Sequence, residues 1–160
     1  YTSDYYLGYR ASSLGWATWL DRWSLIDWDV KEFDEFNKSI WQKIKFMRGG
    51  SDMPYMLKNQ MKGKINSWAI RWCFDQFNKG KLTVFASKSK LIHIGDGETA
   101  TNAKYTNRFY TNIDLTNITT FKFDKHTELN SRLVKEFRSK FSVINRAKEK
   151  LKQIFTKVFY

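Results

Sequence analysis

Asp27-Trp28-Asp29 places two carboxylates one residue apart, an acid-x-acid triplet whose hard oxygens can hold a divalent cation while leaving positions open to phosphate. It falls between two predicted helices and not at a strand end, so its local chemistry reads as a cap and a turn. Asp52 follows the pair Gly49-Gly50 and stands where a helix N-cap is expected, while Asp96 lies in the turn-forming Gly95-Asp96-Gly97. His93 and His126 are far apart and Cys73 stands alone, so no zinc-type site assembles from local motifs. Gly95-Asp96-Gly97 lacks the third glycine and the following helix that would cradle a pyrophosphate. Arg71 has Asp75 one helical turn ahead, the spacing of a structural ion pair, and is also free to meet a phosphate.

The elements that position these residues are legible as periodicities. Tyr5-Tyr6-Leu7-Gly8-Tyr9 reads as a strand or extended loop. Apolar residues at 16, 19, 20, 23 and 26 predict a helix over Trp16 to Ile26, and Phe33, Phe36, Ile40, Trp41 and Ile44 predict a second, closed by Gly49-Gly50, with the aromatic stripe in the core. Asp52 opens a third, with Pro54 in its first turn and Tyr55, Met56 and Leu57 available for burial, ended by Gly63. Asn66 or Ser67 caps a fourth, whose inner face is Ile70, Cys73, Phe74 and Phe77 and whose stop is Gly80. Leu82 with Val84, and Leu91, Ile92 with Ile94, suggest two strands, and Thr119 to Phe123 a last one. Gly95 to Asn107 is a long turn-rich loop, a functional suspect for its length. Leu129, Leu133, Phe137, Phe141, Ile144, Leu151, Phe155 and Val158 predict one long amphipathic helix.

Composition bounds the class. The 160 residues suffice for one compact domain, and 42% hydrophobic with 18% aromatic content excludes a disordered tail. Apolar runs are too short to span a bilayer, and the lone cysteine, expected as a buried small hydrophobe, fits a cytoplasmic location. Lys and Arg number 28 against 16 Asp and Glu, a net charge of +12. Twelve basic and nine acidic residues precede residue 81, and sixteen and seven follow, so the charge gathers toward the C-terminus. Residues 126–160 carry nine basic and three acidic side chains, the pattern of a helix that either lies on an anionic membrane surface or packs on its own domain with a solvated basic face.

Three segments together carry a resemblance: Ser13-Leu14-Gly15-Trp16-Ala17-Thr18-Trp19 with Asp21-Arg22-Trp23; Gly49-Gly50-Ser51-Asp52 leading to Gly63-Lys64-Ile65-Asn66-Ser67-Trp68-Ala69-Ile70-Arg71-Trp72; and Ser89 to Asn102. In order and residue type they resemble the C-terminal, acceptor-side half of bacterial GT-A-fold glycosyltransferases of the family 2 type. The resemblance runs over residues 5–107 and is most specific from Ser67 to Trp72.

The resemblance implies a mixed α/β, partial GT-A domain over residues 1–125, with few short strands covered by about four helices, and a basic helical tail over 126–160. The nucleotide-binding half, with the site for Mg or Mn, would precede Tyr1, so this stretch alone would be inactive and would hold no metal. Donor nucleotide-sugar and a saccharide or lipid-linked acceptor would be its partners, in surface polysaccharide synthesis at the inner membrane face. An apolar surface left uncovered would favour a homodimer. Gly15-Trp16 would floor the donor-sugar and acceptor site, with Asn66, Ser67, Trp68 and Arg71 facing the acceptor or donor phosphate, because sugar C–H faces stack on indoles. The family often carries an acid where Asn66 stands, and an amide cannot take the acceptor proton, so Asp52 and Asp96 are the local carboxylate candidates. Asn102 stands where the family has a histidine beside the metal. The alternative is a basic membrane-surface or single-stranded nucleic-acid-binding module without catalysis. Nucleic acid is the less expected partner, since the aromatics fall at helical core spacings and do not alternate with basic residues along strands.

Overall fold

The computed structural model describes residues 2–92, 111–116, 118–123 and 128–159; the whole Gly95 to Asn107 loop, with Asp96 and Asn102, lies outside them. The class is mixed α/β: a two-stranded antiparallel sheet and a set of mostly short helices. Strand β1 (Tyr5–Gly8) pairs with β2 (Thr83–Ala86), Tyr5 opposite Ala86 and Gly8 opposite Thr83. Gly8 is required by packing, since a Cβ there would meet the Phe85 ring at 2.9 Å. Leu91 and Ile92 are not in a strand, and neither is Thr119 to Phe123. Those segments are held by single contacts instead: the Asp4 carboxylate accepts from the Lys122 N–H at 2.9 Å, and Ser89 makes an isolated backbone bridge to Ile113.

Helix α1 (Leu20–Ser24) is shorter than the periodicity of residues 16–26 predicts. Its N-cap, Trp19, offers no side-chain acceptor to start a helix earlier, and Trp16 packs its ring elsewhere. The predicted second helix is two, α2 (Phe33–Lys38) and α3 (Ile40–Phe46), broken at Ser39, whose hydroxyl accepts from the Gln42 N–H at 3.3 Å. The break turns the stripe: Phe36 and Phe46 meet edge to face at 5.4 Å in the core, whereas Ile40, Trp41 and Ile44 face solvent, Trp41 at 71% exposure.

A 3₁₀ turn (Met47–Gly49) leads to α4 (Met53–Met61), with Pro54 in its first turn as predicted. Met53 and Leu57 are fully buried, whereas Tyr55 is exposed. Ser67 caps α5 (Trp68–Asn78), accepting from the Ile70 N–H at 3.4 Å. Gly63 and Gly80 take the left-handed conformation that ends α4 and α5, at φ of 68° and 61°. Helix α5 is the spine of the core: Ile70, Cys73 and Phe74 are buried with Phe36, Phe46, Val30 and Leu57, and Phe77 packs against them.

The tail is two helices where one was predicted, α6 (Ser131–Ser139) and α7 (Val143–Phe159). The periodicity runs through the break because Phe141 keeps the step of four, but its ring is claimed by the domain. The Arg10 guanidinium lies 3.8 Å from the ring centroid, and the Ser51 hydroxyl donates to the Phe141 carbonyl at 2.9 Å. Ser142 then restarts the helix by accepting from the Asn145 N–H at 3.2 Å.

Arg10 also pairs with Asp52 at 2.8 Å, both side chains nearly buried. Removing one member of such a pair strands the other, so Arg10→Ala is expected to lower the unfolding free energy by about 3–5 kcal/mol. Urea unfolding measures it; a loss below about 1 kcal/mol would place the pair with ordinary surface bridges.

Candidate functional site

Five of the seven tryptophans converge from three stretches of chain. Trp16 lies 5.0 Å from Trp68 and 4.8 Å from Trp72, the latter edge to face. Trp23 lies 4.6 Å from Trp28 and stacks at 6.1 Å on Trp72. Only Trp72 is buried; Trp16, Trp28 and Trp68 are half-buried and Trp23 is exposed, so the cluster is a platform open on one side.

Local chemistry fixes each ring. Gly15 has a φ of 55°, and a Cβ there would lie 2.0 Å from Leu91 Cδ2, so the turn presenting Trp16 tolerates no side chain. Trp68 and Trp72 are one turn apart on α5, whose start is braced by the Ser67 cap and by the Ser67 N–H donating to Gln60 Oε1 at 2.6 Å. Asn66 is exposed just before that cap. Trp28 rides on a turn in which the Asp27 carboxylate accepts from the Asp29 N–H at 3.2 Å and the Lys31 N–H at 2.7 Å. The acid-x-acid triplet is therefore a turn device, as its place between helices predicts. Among the described residues no three acidic, His or Cys side chains gather to hold a metal.

Arg71 does not pair with Asp75. Its Nη1 donates to the Trp28 carbonyl at 3.3 Å, its guanidinium lies 5.6 Å from the Trp28 ring, and its Nε is buried without a partner. Asp75 instead accepts from the Asp27 N–H at 3.0 Å and pairs with Lys79 at 2.8 Å. Arg71 therefore belongs to the indole platform.

Asp52 occupies the N-cap position of α4 but makes no side-chain cap bond. It joins a second polar group, with Arg10 between Asp52, the Met56 sulfur at 3.6 Å and the Phe141 ring. The structure thus brings Gly15, Trp16, Ser67, Trp68 and Arg71 together and gives Asp52 a separate, nearly buried setting. Trp23 and Trp28 were not singled out for the site; the signal was their place in a tryptophan-dense stretch. Two other clefts, of about 200 Å³ beside Asp4 and Lys90 and about 240 Å³ beside Arg48 and Lys81, lie at the sheet ends and are lined by apolar as well as charged side chains.

No protein-family model matches the chain, and neither does any curated protein or solved structure.

Cys73 lies on the buried face of α5 near the Arg10–Asp52 group, with the Ala11 N–H donating to its sulfur at 3.3 Å. Burial pushes its thiol up from the ordinary 9.0 to about 11. The folded state therefore holds this proton more tightly than the unfolded chain. Stability from that difference is complete below the unfolded value of 9.0 and is lost as pH rises toward about 11. The urea midpoint of the wild type is expected to fall more than that of Cys73→Ala between about pH 8 and about pH 10.5. Equal falls would show that the thiol does not contribute.

Proposed function

We propose that this chain carries the acceptor-side part of a GT-A-type, family 2-like glycosyltransferase. It would transfer a sugar from a nucleotide-sugar donor to a saccharide or lipid-linked acceptor in surface polysaccharide synthesis. The observation that carries this reading is the convergence of Gly15-Trp16 with Ser67-Trp68 and Arg71-Trp72 in one half-open indole platform. The apolar C–H faces of a pyranose stack on such rings, and hydroxyls or a donor phosphate need directed donors. Arg71 supplies a fork of donors, one of which, Nε, is buried and unpartnered.

In this reading the acceptor hydroxyl gives its proton to a carboxylate as its oxygen bonds the anomeric carbon and the bond to the nucleotide diphosphate breaks. Asp52 is the proposed proton acceptor among the described residues; because it is held by Arg10 at 2.8 Å apart from the platform, the acceptor's reacting hydroxyl in this reading lies beyond the ring that stacks on the indoles. The same pairing gives Asp52 a duty in stability, so its two roles need two readouts. The donor's nucleotide and its divalent cation (Mg or Mn) would be held by residues outside the described set.

The full-length protein is expected to bind a nucleotide-diphosphate sugar in the presence of manganese by calorimetry and to transfer it. Trp16→Ala is expected to abolish transfer while still unfolding cooperatively, at a urea midpoint lowered by the loss of its ring contacts with Trp68 and Trp72. Asp52→Asn is expected to lower turnover by about 10²-fold or more with acceptor KM nearly unchanged. Normal turnover in Asp52→Asn with a lowered urea midpoint would leave Asp52 only the structural duty. Absence of binding to every member of a nucleotide-sugar panel would overturn the transferase reading.

A further inference from the structure

The two tail helices are both amphipathic; α6 uses its apolar side within the protein, whereas the described apolar residues of α7 are exposed. Helix α6 packs on β1 and the 3₁₀ turn, with Phe137 5.2 Å from Phe85 and 5.4 Å from the buried Phe141. In α7 the apolar residues Val143, Ile144, Leu151 and Ile154 recur at helical spacing, and each is between 50% and 67% exposed. Lys148 and Lys150 are exposed on the two borders of that stripe. The sequence of α7 holds five basic residues and one acidic, in a chain of net charge +12. Helix α7 is too short and too charged to cross a bilayer: no helix of the described residues is long and apolar enough to do so.

We propose that α7 docks in the interface of an anionic lipid bilayer, its Val143, Ile144, Leu151 and Ile154 side chains entering the acyl boundary and its lysines meeting headgroup phosphates. Charge selects this occupant. A second copy of the chain would bring two strongly basic helices side by side, which self-repulsion opposes. A nucleic-acid strand would use the positive charge but not the exposed aliphatic side chains Val143, Ile144, Leu151 and Ile154, on which bases do not stack. A bilayer surface uses both the stripe and its basic borders, and neither alone gives durable binding. The inference is independent of the transferase reading, because vesicle binding requires no sugar donor.

Co-sedimentation of the full chain with phosphatidylcholine vesicles, with and without about one-third phosphatidylglycerol, tests it. Binding is expected only with the anionic lipid, and is expected to weaken about tenfold or more in concentrated salt, where the Debye length falls to about 3 Å. Ile144→Asp/Leu151→Asp changes only exposed positions and is expected to keep the wild-type urea midpoint while losing vesicle binding about tenfold or more. A second variant, Lys148→Gln/Lys150→Gln, is expected to weaken binding to anionic vesicles without changing the midpoint. Failure of the folded wild type to sediment with either vesicle would overturn the proposal. So would unchanged binding by the Asp variant, or a wild-type dimer in analytical ultracentrifugation that the Asp variant dissolves, which would assign α7 to a second copy.

Discussion

Arg10 is where three remote parts of the chain are tied together. Its guanidinium pairs with Asp52 at the start of α4, reaches the Met56 sulfur one turn on, and lies over the Phe141 ring at the corner between α6 and α7. A buried ion pair alone is weak evidence of stability, since desolvation offsets much of the attraction. Here the same cation also gains a ring face, and its surroundings are shaped to admit it. Gly50 has a φ of 150°, and a Cβ there would lie 2.6 Å from Asp52 Oδ1 and 2.7 Å from Arg10 Nη1, so the glycine is a condition of the pair. The end of β1, the entry to α4 and the tail are thereby placed relative to one another by one side chain.

Helix α5 does the corresponding work for the rest of the domain, because successive residues face different neighbours. Phe74 and Cys73 enter the core, while Trp68 and Trp72 hold the indole platform. Its buried Asp75 reaches across to the Asp27 N–H and so locks the turn that carries Trp28. That turn also contains Val30, buried at a φ of 57°, a conformation that costs a β-branched residue about 1–3 kcal/mol. Asp27, Asp75 and Arg71 each bond to the turn's backbone, which is why the strain persists. A rigid mount for Trp28 is the outcome, next to the rings that make the platform.

The parts of this arrangement legible in the sequence are those whose cause is local. The Ser67 cap, the glycine stops at 63 and 80 and Pro54 in the first turn of α4 depend on neighbours a few residues away, and the structure has them where periodicity and capping put them. Periodicity failed where a side chain was claimed from afar: Phe141 continues the step of four, yet Arg10, more than a hundred residues earlier, takes its ring and breaks the helix. Ser39 broke the other predicted helix although Phe36, Ile40 and Ile44 keep the i to i+4 step through it. Arg71 and Asp75 have ideal spacing for a pair and do not form one, because each has a backbone partner on the Asp27–Trp28 turn. Nothing around Arg10 announces its role, since its partner Asp52 lies 42 positions away.

The geometry of the tail follows from the same anchor. Only Lys140, Phe141 and Ser142 separate α6 from α7, and the middle one is buried against Arg10, with its carbonyl bonded to Ser51. Helix α7 therefore does not leave the domain on a free linker. Its first residue follows directly on a capped and packed corner, so the direction in which its aliphatic stripe faces is set by the β1–α4 junction. A surface that receives α7 receives the whole domain at a defined angle, and the side chain that defines it also orients Asp52.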